Sequence, residues 1–143
     1  IANVFSKIKT QFVIAGNGIS KKIEGALKSI PYISIVNNPQ QEMLENLIST
    51  AQINILPSLN NTGVKLKLLH ALFNGRFCMT NTNGIKGSAI AAGVSIANSP
   101  DEYLQLINEL LAQEFTSREI EERRYLERLY DNGANAQKLN ALW

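Results

Sequence analysis

Residues 53–75 read INILPSLNNTGVKLKLLHALFNG, and this stretch sets the structural pattern of the whole chain. Residues 53–56 are mostly apolar and stop at Pro57, which predicts a short buried strand. Residues 58–63 are rich in Ser, Asn, Thr and Gly, so they predict a loop. Residues 64–73 are strongly apolar and end at Asn-Gly, which predicts a helix. The stretch is therefore a strand–loop–helix unit.

The same order of strand and helix repeats on both sides of this unit. Short apolar or alternating runs predict further strands, at residues 11–15, 32–36, 77–80 and 94–97. Apolar residues at helical spacing predict helices after the first two of these strands, at residues 20–29 and 40–50. Strands that alternate with helices predict an α/β fold: a Rossmann-like parallel sheet flanked by helices on both faces.

Terminal helices complete the predicted architecture. Ser99, Pro100 and Glu102 form a helix start, with Ser99 as the N-cap of a helix that runs to about residue 113. Residues 116–142 predict two helices that break near Asn132-Gly133. The chain opens without Met, in a helix-like pattern with an apolar face formed by Ile1, Val4, Phe5 and Ile8. We therefore expect residues 1–143 to be a single domain cut at its N-terminal side.

Composition excludes several classes of protein. The chain has 14 basic and 12 acidic side chains, a net charge of +2 that is too small for a dedicated nucleic-acid binder. A single cysteine, Cys78, cannot form an internal disulfide, which favours the cytoplasm. No apolar run reaches the length of a transmembrane segment. With one cysteine and one histidine, His70, a Cys/His zinc site is not expected, and we predict no metal.

An anion site is predicted where residues 60–70 lead a loop into a helix. Ligands of parallel α/β sheets lie beyond the carboxyl ends of the strands, and a helix N-terminus favours a phosphate there. Gly63, Lys67 and His70 follow at i, i+4 and i+7, which places them on one helix face. The opposite, buried face is predicted from its apolar residues, Val64, Leu68, Ala71 and Leu72. The alternative is that Lys67 and Lys65 are solvated and that His70 only packs at the helix edge.

Other motifs are less specific. Gly16-Asn17-Gly18 follows the first strand, but a dinucleotide fingerprint requires a third glycine where Lys21 stands, so no redox cofactor is expected. A P-loop motif is absent. Cys78 lies in an apolar run and is interpreted as a buried, inert thiol instead of a nucleophile paired with His70. The mixed-charge residues 118–128, with Glu119 four residues before Arg123, predict a solvated helix face.

The residues in order resemble the C-terminal, nucleotide-sugar-binding lobe of GT-B glycosyltransferases, in particular the retaining family 4. Residues 12–18 resemble the strand and glycine turn of that lobe, and residues 53–58 resemble its strand followed by Pro-Ser. Residues 63–75 resemble its G-x-x-x-K-x-L-E-A helix, which is the most specific part. Residues 77–80, 83–87 and 98–103 resemble the elements that follow.

The resemblance implies which residues bind the donor. A donor diphosphate would contact the two glycine loops and the helix, at Gly16, Gly18, Gly63, Val64 and Lys67. The helix of the family carries a Glu that binds the donor ribose, paired with an acid eight residues earlier, and here those positions are His70 and Thr62. An imidazole accepts a ribose hydroxyl at a single nitrogen, so donor binding is expected to be weaker or altered. Asn17, Asn38 and Thr62 are further candidates near the site, and no catalytic side chain is assigned.

Three functions follow as hypotheses. In the first, the chain is the donor-binding lobe of a retaining glycosyltransferase, which moves a sugar from a UDP- or GDP-sugar to a glycan or lipid-linked acceptor. No cofactor would be needed, and the acceptor would bind a missing N-terminal lobe, which could also place the enzyme at the inner membrane face. The isolated lobe is then expected to be inactive. In the second, a non-catalytic lobe acts as an interaction or regulatory module in glycan assembly. The third is a generic flavodoxin-like binding module.

Overall fold

The computed structural model describes residues 4, 6–90, 92–131 and 137 of the 143-residue chain. Its strands, in chain order, are β1 (Phe12–Gly16), β2 (Ile33–Asn37), β3 (Ile53–Ile55), β4 (Phe77–Thr80) and β5 (Ser95–Ile96). Its helices, in chain order, are α1 (Lys21–Leu27), α2 (Gln41–Thr50), α3 (Leu66–Asn74), α4 (Thr82–Ile85), α5 (Pro100–Ala112), α6 (Ser117–Glu121) and α7 (Arg124–Leu129). The predicted alternation of strand and helix is confirmed.

All strand pairs among the described residues are parallel, but they form two hydrogen-bonded ladders instead of the single sheet that we predicted. β1 pairs with β2, and β3, β4 and β5 form a second sheet in that order. Because β3 has only three residues, its side that faces away from β4 carries few backbone N–H and C=O groups for a further ladder. The fold is a mixed α/β structure with small parallel sheets flanked by helices.

Strand β4 is buried on both faces and separates two hydrophobic clusters. Phe77 and Met79 belong to the first cluster and Cys78 to the second, as the alternation of side chains along a strand requires. The remaining buried members of the first cluster are Val4, Ile8, Ala97, Ile107 and Leu110. Those of the second are Leu68, Leu69, Ala71, Leu72, Ile90 and Leu126. Helix α5 therefore covers one face of the larger sheet, and α3 with α7 covers the other.

Neighbouring residues in the sequence predicted the start of α5 correctly. The Ser99 hydroxyl accepts a hydrogen bond from the Glu102 N–H at 3.3 Å, and Pro100 occupies the first turn. The Glu102 carboxylate in turn accepts from the Asn98 N–H at 2.7 Å. These bonds, of which the bond from Asn98 contributes most, lower the pKa of the Glu102 carboxyl.

Helix α3 begins at Leu66, two residues after the predicted start. Gly63 has a positive φ of 69°, and Lys65 is the N-cap in an extended conformation, so the chain stays a loop up to that point. Val64 consequently lies outside the helix and is 42% exposed, which corrects its predicted place on the buried face. Leu68, Ala71 and Leu72 are buried as predicted.

The end of the described chain differs from the predicted pair of helices. The break between α6 and α7 lies at Glu122 and Arg123. The break predicted near Asn132-Gly133, like Ile1 and Phe5 of the predicted opening helix, lies outside the described residues. Val4 and Ile8, the two described members of that apolar face, are both buried.

Arg123 is not on a solvated face, which corrects the interpretation of residues 118–128. It is 8% exposed, and its guanidinium donates to the carbonyls of Leu72 and Gly75 at 3.0 Å each and to that of Arg76. These carbonyls lie at the C-terminal end of α3, where the helix dipole favours a cation. Glu119, the predicted partner of Arg123, instead accepts from Thr116 in a capping box at the start of α6.

Within the described ranges, none of the helices is long and apolar enough to cross a bilayer.

Candidate functional site

An open hollow of about 370 Å³ lies where β3 ends and α3 begins. We call it the lysine hollow, and its lining residues are Leu56, Pro57, Ser58, Val64, Lys65, Leu66, Lys67 and Leu68. It lies beyond the carboxyl end of a parallel strand, as expected for ligand sites in such folds. The structure thus brings together Val64 and Lys67, two of the residues that the resemblance assigned to the donor phosphates.

The loop that borders the lysine hollow is anchored to the end of β4. The Ser58 N–H donates to Asn81 Oδ1 at 3.0 Å, and Asn81 Nδ2 donates to the Ser58 carbonyl at 2.9 Å. This pair of bonds resembles a continued β-ladder, although Asn81 lies just beyond the strand. Asn81 was not predicted as a site residue. A polar residue directly after a buried strand is the sequence signal that could have identified it.

Side chains within the loop fix its shape. Asn60 Oδ1 accepts from the Thr62 N–H at 2.9 Å and from the Thr62 hydroxyl at 2.8 Å. The Ser58 hydroxyl donates to the Asn60 carbonyl at 2.8 Å. The Lys65 ammonium donates to the carbonyls of Thr62 and Gly63. Thr62, a predicted site candidate, therefore supports the turn with its hydroxyl.

Two glycines allow this loop to approach the loop after α4. Gly63 and Gly87 both have positive φ values, 69° and 80°, which favour glycine. A Cβ atom at Gly87 would lie 3.3 Å from the Gly63 nitrogen. The close approach brings Lys86 to the same edge of the larger sheet as the lysine hollow.

This edge is basic. No Asp or Glu occurs between Glu45 and Asp101, whereas this segment contains Lys65, Lys67 and Lys86 in its loops and first helical turn. Lys67 and Lys86 are exposed. Because no carboxylate of this segment neutralises them, the surroundings of the lysine hollow favour an anion.

His70 lies at a different hollow from Lys67. A polar groove between α2 and α3 contains His70 together with Glu45, Asn46, Ser49 and Asn74. We predicted one shared face for Gly63, Lys67 and His70 on the assumption of a helix that continues from residue 63. Since α3 starts at Leu66, Gly63 belongs to the loop and not to that face. Lys67 and His70 keep their spacing of three residues within α3, but Lys67 lines the lysine hollow and His70 lines the groove towards α2.

The glycine turn after β1 is hydrogen-bonded by asparagine side chains. The Gly18 N–H donates to Asn38 Oδ1 at 3.0 Å, and the Ile19 N–H donates to Asn37 Oδ1 at 3.1 Å. The Asn38 N–H donates to the Gly16 carbonyl at 2.8 Å. Gly18 has a positive φ of 68°, and Asn38 has one of 53°. The Gly18 N–H is thus already used, and Asn38 supports the turn.

Gly16, Asn17 and Gly18 follow β1, which belongs to the smaller sheet, whereas the lysine hollow lies at the larger one. None of the three lines that hollow. The structure therefore does not place the first glycine turn and Lys67 at one hollow.

The thiol of Cys78 is buried in the second hydrophobic cluster. Burial raises its pKa to about 11, and the positive charge of Arg123 opposes that rise. We expect Ellman's reagent at about pH 8 to label the folded chain much more slowly than the chain in urea, because only the thiolate reacts. The thiol also contributes stability that is complete below its unfolded pKa near 9 and is lost as the pH rises towards about 11. Equal labelling rates in the folded and unfolded chains would contradict the burial.

Among the described residues, no cluster of three or more His, Cys, Asp or Glu side chains could hold a metal ion.

Comparison with known proteins yields one informative relative. The chain is 33% identical over 92 residues to an uncharacterized 44.6 kDa protein in the cps region of Klebsiella pneumoniae. The match covers 63% of this chain and 24% of that protein, so the chain spans about a quarter of its relative's length. No family model matches the chain, and no solved structure matches it.

Proposed function

We propose that the chain is the donor-binding lobe of a glycosyltransferase that takes part in polysaccharide assembly. The observation that carries this proposal is the lysine hollow: an exposed lysine and a glycine loop at the carboxyl end of a parallel strand, in a stretch of sequence without acidic residues. The relative in a cps region, the name given to capsule polysaccharide gene clusters, supports a role in glycan assembly. The resemblance of residues 63–75 to the donor-binding helix of retaining family 4 supports the finer assignment.

The proposed ligand of the lysine hollow is the diphosphate of a UDP- or GDP-sugar. Leu68 is the first residue whose N–H donates within α3, to the Lys65 carbonyl at 2.9 Å. The N–H groups of Leu66 and Lys67 precede it in the first turn, and both residues line the hollow. In this proposal these N–H groups donate to phosphate oxygens. The Lys67 ammonium would add a point charge.

The chemistry available to this lobe is electrostatic. As the sugar leaves the donor, negative charge grows on the diphosphate, and backbone N–H groups with Lys67 would stabilise it. No side chain of the hollow is a nucleophile for the sugar in this proposal. Sugar transfer would be a property of the whole protein, since the acceptor must be positioned against the donor.

The groove of His70 gives a second candidate function some support. The two family acids are replaced by Thr62, which is used within its own loop, and by His70, which borders a separate groove. A lobe with these changes could serve as a non-catalytic interaction module in the same assembly system. In the enzyme proposal, His70 would instead contact the donor ribose.

Calorimetric titration of Lys67→Ala tests the proposal. The unmodified chain is expected to bind one member of a panel of UDP-, GDP- and ADP-sugars. Lys67→Ala should weaken that binding by about 1–3 kcal/mol, the range of a charge-assisted hydrogen bond, with no change in melting temperature. Lys22→Ala, which removes an exposed lysine from α1, is the matched control and should bind as the unmodified chain does.

The outcomes separate the two candidate functions. Selective loss of affinity in Lys67→Ala supports the donor-binding lobe. A chain that binds no nucleotide sugar in the panel favours the non-catalytic module. Equal affinity of Lys67→Ala and Lys22→Ala would show that Lys67 is a solvated surface lysine.

A further inference from the structure

Asn81 ties the loop that borders the lysine hollow to the end of β4. The Ser58 N–H donates to Asn81 Oδ1, and Asn81 Nδ2 donates to the Ser58 carbonyl. In the described part of the chain, these two bonds join residues 58–63 to the rest of the fold, and the other hydrogen bonds of residues 58–63 stay within residues 58–65. Asn81 itself does not line the hollow. An effect of Asn81 on a ligand there must therefore act through the loop.

Hydrogen bonds within the loop continue from this anchor to the start of α3. The Ser58 hydroxyl donates to the Asn60 carbonyl, and Asn60 Oδ1 accepts from the N–H and the hydroxyl of Thr62. The Lys65 ammonium then donates to the carbonyls of Thr62 and Gly63. Each of these bonds involves a residue that the previous bond holds. The anchor at the end of β4 therefore fixes one end of a continuous series, and the N-cap residue of α3 fixes the other.

The bonds of Lys65 also set the direction of two backbone N–H groups. In a trans peptide unit, the C=O and the N–H point to opposite sides. The carbonyls of Thr62 and Gly63 face the Lys65 ammonium. The N–H groups of the same two peptide units, which belong to Gly63 and Val64, therefore face away from it. Neither N–H donates to an acceptor among the described residues, so both can donate to a ligand.

We propose that Asn81 is a positioning residue of the lysine hollow, which holds the loop so that the N–H groups of Gly63 and Val64 bind a diphosphate together with Lys67. This role rests on the proposed donor-binding function. A loop that is already fixed does not have to be ordered when the ligand binds, so the affinity is higher. Asparagine suits the role because its amide both donates and accepts without adding a charge beside an anion site.

Calorimetric titration with inorganic pyrophosphate tests the role of Asn81. The unmodified chain should bind pyrophosphate, which has the diphosphate of the proposed donor without its base or sugar. Asn81→Ala should weaken this binding about tenfold, because the released loop must be ordered again in the complex. Asn98→Ala is the matched control and should bind as the unmodified chain does. The Asn98 side chain also accepts from a backbone N–H just beyond β4, that of Thr82 at 3.0 Å, but not from a residue of the loop.

Asn60→Ala breaks the same series of bonds inside the loop. Asn60 is exposed and bonds only to residues of the loop, so this variant should fold even if Asn81→Ala does not. It removes the two bonds of Thr62 and should weaken pyrophosphate binding about fivefold.

Hydrogen exchange separates a positioning role from a general loss of stability. In Asn81→Ala, the amides of residues 59–65 should exchange about tenfold faster than in the unmodified chain, while those of β4 should exchange as before. Faster exchange in β4 by the same factor would indicate a less stable fold instead of a released loop, and would contradict the positioning role. Asn98→Ala should leave the exchange of residues 59–65 unchanged.

The outcomes distinguish this role from the proposed function. An unmodified chain that does not bind pyrophosphate overturns both, because the hollow would then hold no diphosphate. If pyrophosphate binds and the Asn81→Ala and Asn60→Ala variants keep the affinity of Asn98→Ala, Asn81 has no positioning role and the proposed function stands. Weaker binding by Asn81→Ala without faster exchange in residues 59–65 would also overturn the role, because the side chain would then not act through the loop.

Discussion

Replacement of Arg123 by methionine is expected to lower the free energy of unfolding by about 3 kcal/mol. The guanidinium donates to three carbonyls at the end of α3, those of Leu72, Gly75 and Arg76. Methionine fills much of the same space but donates to none of them, so buried oxygens lose their partners. The guanidinium also lies over the Phe115 ring, 5.1 Å from its centroid, and that contact is lost as well.

Urea denaturation followed by circular dichroism measures this effect. Arg124→Met is the matched control, because Arg124 is the next residue and pairs with Glu121 at 3.0 Å on the exposed surface. An exposed ion pair contributes little, so the control should stay within about 0.5 kcal/mol of the unmodified chain. If Arg123→Met were as stable as the control, the guanidinium would not hold the C-terminal helices to α3.

Gly84→Ala is expected to destabilise the fold by a similar amount, about 3 kcal/mol. A Cβ atom at Gly84 would overlap the Thr80 hydroxyl and lie 2.9 Å from the Thr80 Cβ atom. Thr80 cannot move away freely, because it is fully buried and its hydroxyl donates to the Leu56 carbonyl at 2.7 Å. The variant must therefore either shift α4 or break the bond that joins β4 to the end of β3.

Gly25→Ala is expected to have the opposite effect and to stabilise the fold. Gly25 lies within α1, and a Cβ atom there would contact nothing within 4 Å. Alanine has the higher helix propensity, so this variant should be more stable by about 0.5–1 kcal/mol. Urea denaturation of the two variants should shift the midpoint in opposite directions. A Gly84→Ala midpoint at or above that of the unmodified chain would show that the Thr80 contact relaxes at no cost.

Sequence reasoning succeeded where the signal is local. The helix start at Ser99 depends on three neighbouring residues, and the structure shows the predicted hydrogen bond from Glu102. The buried face of α3 depends on a repeat within a single helix, and Leu68, Ala71 and Leu72 are buried. Both features are decided within one or two turns of chain.

Arg123 shows why other features could not be predicted. Its spacing from Glu119 is that of an exposed ion pair, and the real partners are carbonyls of residues 47 to 51 positions earlier in the chain. Nothing near Arg123 in the sequence indicates which face of α6 and α7 packs against α3. A charged residue at a helix break is ambiguous until the tertiary contacts are known.

The candidate site could be predicted only in part, because some of its contacts join residues that are distant in the sequence. The lysine hollow lies in the loop–helix segment that residues 53–75 indicated. The position of Gly63 relative to Lys67 and His70 depended on the first residue of α3, and helix ends are difficult to place to within two residues. The backbone N–H groups of the first glycine turn are bound by Asn37 and Asn38, about 20 residues away, which no spacing within the turn reveals.

The division of the strands into two ladders affects how evenly the fold resists local opening. β4 is buried along its whole length and bonded on both sides, by β3 and β5. β1 and β2 bond each other and are only partly buried, so fewer contacts must break to expose their amides. Cooperative opening of β1 and β2 therefore costs less free energy than opening of β4. Amide hydrogens of the smaller ladder would therefore exchange with those of the solvent while the amides of β4 stay protected.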